Sequence, residues 1–244
     1  MRDSCMLSLT KEQVVTAGDY CEAHSSSLPS CIMKQIEFTD SLSKDEAVMA
    51  PSPAQCAWLM SITQMLAPTR VLELGTFTGV SALAFYEATR KTQAEIISMD
   101  MSEKYLGYAN DAFALYGAND RITTVKGPCL DLYVFSSIIM LPSLTGQFDL
   151  IYIDAAEEEY EPYTRFLLDH NLLSPRGIIL VDDVLVEGLV LDKSIATKFP
   201  KEIREPYLGV ADLMTGFNRY AASDPRITAT MIPLFNGITQ IMWK

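Results

Sequence analysis

The sequence predicts an α/β fold built on a mostly parallel sheet. Three observations predict it: short apolar runs alternate with helical stretches from Arg70 onward, a glycine-bearing turn joins the first run to a helix, and an Asn-Gly pair near the C-terminus separates two strand-like segments. The first fifty residues read as helical. The organisation expected is therefore an N-terminal helical extension over 1–48 and a main domain over 49–244, within one compact unit. At 244 residues, 49% of them hydrophobic, the chain is long enough to bury one substantial core.

Thr10 and Gln13 have capping-box spacing for a helix through about Ala23, and the stretch "SSSLPS" breaks it near Pro29. A second short helix is expected from Cys31 to Thr39. Ser52, Pro53 and Gln55 then read as N-cap, first-turn proline and capping partner of a helix whose apolar face is Trp58, Leu59, Ile62, Met65 and Leu66, ended by Pro68. The strand-like runs that follow are "RVLEL", "EIISMD", "ITTVK", "FDLIYID" and "GIILVDD". Between them, helices are expected over Gly79–Arg90, Ser102–Tyr116, Leu130–Leu141 and Glu159–Leu173. The final "RITATMIPLFNGITQIMW" should close the sheet as an antiparallel hairpin.

Composition narrows the function classes. A formal net charge of -12 without any Lys/Arg cluster repels phosphate backbones, which argues against a nucleic-acid partner. Apolar runs fall short of the roughly 18 residues that cross a bilayer, and "MRDSCMLSLTKEQ" turns polar too early for a signal peptide, so a cytoplasmic protein without membrane association is expected. Five cysteines without C-x-x-C spacing read as reduced, mostly buried thiols rather than a disulfide or zinc framework. The two histidines, His24 and His170, are too few for a histidine-based metal site.

In open parallel sheets, ligands bind beyond the carboxyl ends of the strands, where the strand order reverses. The residues at those ends are Glu73 to Gly79, Asp100, Asp154 to Glu157, and Asp182 with Asp183. "ELGTFTG" differs from the dinucleotide G-x-G-x-x-G pattern, because Gly75 and Gly79 stand four apart and an acid, Glu73, precedes them. A helix N-terminus offers amides to a carboxylate, Gly75 permits close backbone approach, and Glu73 suits an ammonium group. Asp100, closing the second strand, can accept both hydroxyls of a ribose. Together these features suit S-adenosylmethionine.

The chain resembles the small cation-dependent O-methyltransferases, the caffeoyl-CoA and catechol O-methyltransferase family, and "YCEAHSSSLP" is similar to its fungal members. The resemblance runs from about Met49 to Trp243 through "VLELGTFTGVSAL", "FDLIYIDAAEEEYEPY", "GIILVDDVLVEG" and "DPRITATMIPLFNGITQI". It implies a Rossmann-like class I methyltransferase with a seven-stranded sheet, a homodimer, and methyl transfer to a small-molecule acceptor. It also implies cofactor contacts from Met49, Glu73, Gly75, Ser81, Asp100 and Asp154, and an adenine border at the turn Gly127 to Cys129. Finally it implies a divalent cation, Mg²⁺, held by Asp154, Asp182 and Asp183.

Two departures from the family pattern bear on the chemistry. The family's Asp-Ala-Asp-Lys is here Asp154, Ala155, Ala156, Glu157, so an acid replaces the lysine that handles the acceptor's proton. The family's Asp-Asn pair is here Asp182 and Asp183, which would leave three carboxylates around a doubly charged ion at -1 rather than 0. Both changes weaken the ionisation of a phenol. Three readings follow: Glu157 or another acid of "AEEEYE" serves as general base, with Asp154 also catalytic and the cation positioning a diphenol; the acceptor is already acidic, as an enol or a carboxylic acid; or the cation site is lost and transfer proceeds by proximity, if at all. The alternatives to a cation-assisted O-methyltransferase are a metal-independent O- or C-methyltransferase of specialised metabolism and a non-catalytic cofactor-binding descendant. Val186 stands where the family places a tryptophan, so a wider acceptor pocket is expected, completed by Glu187 to Ser223 as a mobile lid.

Overall fold

The computed structural model describes residues 16–17, 20–127 and 144–244. The first helical cap at Thr10 and Gln13, the expected helix over 130–141, and Cys129 lie outside the described residues. In chain order the elements are α1 (Ser30–Asp40), α2 (Lys44–Ala47), α3 (Pro53–Leu66), β1 (Arg70–Leu74), α4 (Val80–Ala88), β2 (Glu95–Asp100), α5 (Glu103–Tyr116), β3 (Ile122–Lys126), β4 (Phe148–Ile153), α6 (Tyr160–Asp169), β5 (Leu173–Val181), α7 (Lys201–Ser223), β6 (Ile227–Ile232) and β7 (Ile238–Trp243). The seven strands form one sheet in the order β3-β2-β1-β4-β5-β7-β6. β1 to β5 pair in parallel, and β7 pairs antiparallel with both β5 and β6.

Strand alternation sorts the core onto the two faces of the sheet. Val71, Ile96, Leu150, Tyr152 and Leu180 pack with α1, α3, α4 and α5. Leu72, Leu74, Ile151, Ile153, Ile179 and Val181 pack on the other face with α6 and α7. Each fully buried leucine or isoleucine here contributes roughly 2 kcal/mol from area removed from water. Burial on both faces is why these strands read as continuous apolar runs rather than as alternating ones.

Helix ends follow local chemistry. Ser52 Oγ accepts from the Gln55 amide at 3.2 Å, Pro53 opens α3, and Ala67 closes it in the left-handed region. Gln55 differs from expectation, because its side chain leaves the cap and reaches across to Asp182. Met65 also differs: it is 73% exposed, and the buried stripe of α3 is Gln55, Cys56, Leu59 and Thr63. α1 belongs to the core through Ile32 and Ile36, and its Gln35 Nε2 donates to the Thr78 carbonyl at 2.6 Å. Thr39 Oγ1 meets Thr78 Oγ1 at 2.8 Å.

The expected lid is helical over most of its length. Lys193–Lys198 is a short 3-10 helix, and α7 then runs 23 residues with Ala211, Met214, Phe217, Tyr220 and Ala221 buried. Arg204 donates to the carbonyls of Ala196, Thr197 and Phe199, tying the start of α7 to the loop before it. Val186 is buried in the core beside α7 rather than standing as an open wall. Cys31 and Cys56 are buried, and burial pushes their thiols up to about 11 and about 12, which keeps them protonated and inert. His170 caps α6, with Nδ1 at 3.0 Å from the Phe166 carbonyl and its ring stacked on Phe166, a structural role. Among the described residues, no helix is long and apolar enough to cross a membrane.

Candidate active site

The strand order reverses between β1 and β4, so the crevice lies where those strands end, at Glu73–Gly79 and Asp154. Glu73 is fully buried near the end of β1. Its Oε2 accepts from Ser98 Oγ, and Ser98 Oγ in turn meets Thr76 Oγ1 at 2.6 Å. Ser81 stands near the same carboxylate and favours its ionised form. The other oxygen, Oε1, is buried without a partner. Burial raises the carboxyl to about 7, the two serines pull it back, and Asp100 pushes it up further. A buried acid with one orphaned oxygen has an acceptor position open to a cationic donor.

Gly75 and Gly79 earn their places differently. Gly75 has φ +100, and a Cβ there would lie 1.7 Å from the Asp154 carbonyl oxygen, so β1 and β4 approach too closely for any side chain. Gly79 has φ +85, and a Cβ would meet Phe113 at 2.7 Å. The amide of Gly75 is not free, since it donates to the Met99 carbonyl at 2.8 Å. The amides available to an anion are those opening α4, whose N-cap, Gly79, provides no side-chain cap.

Asp100 ends β2. Its Oδ2 accepts from the Phe77 amide and its Oδ1 from the Ser102 amide, both at 2.8 Å. A carboxylate oxygen has about two acceptor positions, so each retains one for a hydroxyl. Gly127, at φ +147, donates its amide to the Asp100 carbonyl at 3.0 Å and so borders the same crevice, while its neighbour Cys129 is outside the described residues. Met49 lies in the segment leading to α3 and is 55% exposed. The residues present fit S-adenosylmethionine on two observations: the orphaned Glu73 oxygen for the ammonium, and the side-chain-free cradle at Gly75.

Around Asp154 the chemistry is acidic. Burial and its neighbours Asp182, Asp183, Glu73 and Glu157 raise the Asp154 carboxyl well above the usual range. Burial and Asp182 raise Asp183 to about 7, and burial raises Glu157. Glu157 opens the turn before α6 and borders a cavity of about 230 Å³ between α6 and α7, with Arg165 and Phe217 among its walls. Tyr160, one turn on, is buried against Phe217, and Tyr163 is buried beside it, so both are packing residues.

The expected cation site departs from the resemblance. Asp182 follows β5 on the face that holds α3, and its Oδ2 accepts from both Tyr152 Oη and Gln55 Nε2. Its Oδ1 accepts from the Asp183 amide at 2.9 Å. Asp183, at φ +56, lies near Asn236, whose side chain favours its ionised form. Tyr152 Oη lies 3.5 Å from Asp154 Oδ2, at the limit of a hydrogen bond. Among the described residues, no three acidic, histidine or cysteine side chains are grouped to hold a metal ion. The donor set as arranged does not fit the family's cation.

Sequence reasoning missed Gln55, Tyr152 and Asn236. Tyr152 had a signal, because residues two apart in a strand share a face and Asp154 is the second residue after it. Asn236 lies in the left-handed region at φ +65; its Oδ1 accepts from the Glu187 amide at 2.6 Å, and its carbonyl accepts from the Leu185 amide at 2.9 Å. These contacts hold a loop in which Asp183, Val186 and Glu187 all have positive φ, a strained path for a β-branched residue such as Val186.

The O-methyltransferase family profile matches residues 22–244. The O-methyltransferase hkm8 of Aspergillus hancockii is 61% identical, with both chains covered in full. The probable caffeoyl-CoA O-methyltransferase 1 of Dictyostelium discoideum is 28% identical over 91% of this chain and 90% of that one. The SAH-bound methyltransferase PaMTH1 of Podospora anserina superposes with a TM-score of 0.90 at 34% identity, covering 99% of both chains. With its glycine cradle, its buried glutamate and a match across nearly its whole length, the chain belongs to the O-methyltransferase family, as an S-adenosylmethionine-dependent O-methyltransferase of the caffeoyl-CoA-like group.

Proposed function

We propose that the protein methylates an acidic oxygen, a hydroxyl, enol or carboxyl, of a small aromatic or polyketide-like metabolite. The observation that carries the donor half is the buried Glu73 oxygen without a partner, placed beside a glycine that cannot carry a side chain. The likeness to an SAH-bound relative supports the same pocket. S-Adenosylmethionine supplies an electrophilic methyl group. Glu73 and Ser81 hold the ammonium end, the start of α4 faces the carboxylate, and Asp100 accepts the ribose hydroxyls.

The acceptor half rests on the acids. A carboxyl held above its usual range by burial is a stronger base once ionised, so Glu157 suits removal of the acceptor's proton as the oxygen–methyl bond forms. No lysine stands there to stabilise a phenolate, which favours acceptors more acidic than a simple phenol. Most of the rate then comes from holding oxygen and methyl in line in a crevice with little water.

Incubation of the purified protein with methyl-labelled S-adenosylmethionine and a panel of catechols, simple phenols, 1,3-dicarbonyl enols and aromatic carboxylic acids tests this. Label should enter the enols, acids or acidified phenols, and Glu157→Gln should lower kcat about 10²-fold or more with little change in KM. Cofactor binding with no labelled product from any class would overturn the reading.

A further inference from the structure

We infer that Tyr152 and Gln55 replace the family's divalent cation at Asp182, so that the pocket is completed by the chain's own hydrogen-bond donors. This rests on the methyl-transfer reading only in supposing that the same crevice is the active site.

The inference is carried by how the three side chains are placed. Tyr152 is fully buried, Asp182 is 3% exposed and Gln55 is 8% exposed, so all three are largely withdrawn from bulk solvent. The phenol and the amide both donate to one oxygen, Asp182 Oδ2, which fills the two acceptor positions that oxygen offers. The other oxygen accepts one backbone amide and keeps one acceptor position. A cation binding through Oδ2 would have to displace a donor, leaving a buried hydroxyl or amide unsatisfied at a cost of about 1–3 kcal/mol.

Secondary structure fixes this arrangement. Tyr152 sits in β4 and Asp182 stands just past β5, two residues after Leu180, both on the face covered by α3, while Gln55 is held in the first turn of that helix by Pro53 and the Ser52 cap. Asp183, the next residue, has Asn236 as a neighbour that favours its ionised form. Two consecutive acids that face different partners make a poor chelate, even though their order in the sequence suggests one. A buried carboxylate still requires compensation, and here an O–H and an N–H supply it.

Titration of Mn²⁺ into the wild-type protein, followed by the electron paramagnetic resonance signal of free Mn²⁺ with and without S-adenosylhomocysteine, tests the inference. The expected result is no stoichiometric binding up to about 1 mM. One ion bound per chain below about 100 µM and lost in Asp182→Asn would overturn it, and would mean that Tyr152 and Gln55 merely orient a ligand. A thermal double-mutant cycle gives an independent readout. Tyr152→Phe should lower Tm by about 4 °C or more in the wild-type background and by much less in Asp182→Asn; equal shifts in both backgrounds would overturn the inference. Both measurements are possible on the cofactor-free protein, so a failure to bind S-adenosylhomocysteine would count against the proposed function and leave this inference standing.

Discussion

Gly75→Ala is expected to weaken S-adenosylhomocysteine binding by at least about 100-fold, close to 3 kcal/mol, measured by isothermal titration calorimetry. The added Cβ would fall 1.7 Å from the Asp154 carbonyl oxygen, inside any van der Waals contact, and φ +100 is a conformation that alanine rarely adopts. The neighbour is backbone, so a rotamer change cannot relieve the clash. β1 and β4 must separate where Asp154 donates its amide to the Leu74 carbonyl at 2.9 Å, which opens the crevice at its base. Tm should also fall, by an amount that a glycine-to-alanine change on an exposed helix would not produce. If the variant bound the cofactor product within a few-fold of wild type, Gly75 would not be the floor of the pocket.

Glu73→Gln is expected to flatten the pH dependence of cofactor binding. With its carboxyl raised to about 7 in the free protein, Glu73 is largely neutral at pH 6 and ionised at pH 8. An ammonium donating to the ionised, buried carboxylate is worth roughly 1.5–3 kcal/mol, so wild-type affinity should rise as pH increases through 7, and the variant should bind about 10- to 100-fold more weakly at pH 8. At pH 6 the two should converge. Stability has the opposite sign. An acid whose folded-state value exceeds its ordinary 4.5 destabilises the cofactor-free fold progressively as pH rises from 4.5 to 7. Unliganded Glu73→Gln should therefore unfold at a higher temperature than wild type at pH 8 and gain little at pH 5. A pH-independent wild-type affinity would contradict the role given to the orphaned oxygen.

The central strands β1, β4 and β5 were legible because they are largely buried on both faces and therefore appear as mostly apolar runs, each ending at an acid or a glycine. The hairpin was legible because Asn236 and Gly237 both take positive φ, which few other residues accept readily. Glu73, Gly75 and Asp100 stand out in the sequence because they lie in short, contiguous segments at strand ends. What escaped depended on long-range packing. Gln55 has the spacing of a capping residue, and nothing local reveals that its amide meets an acid 127 positions away. Met65 falls on the apolar stripe that periodicity assigns to α3 and yet faces outward. Asp182 and Asp183 look like a pair in sequence, and only the alternation of β5 and the left-handed turn at Asp183 separate their partners.

The contacts of Gln35 and Thr39 with Thr78 make α1 a strut beneath the glycine turn. Ordering at one end must then be felt at the other. Occupancy of the crevice should slow amide hydrogen exchange across Cys31 to Thr39, and Gln35→Ala should abolish that slowing while leaving exchange in β4 and β5 unaltered. In this protein, an N-terminal helix far from any reacting atom would thus report, through deuterium uptake, whether the donor is in place.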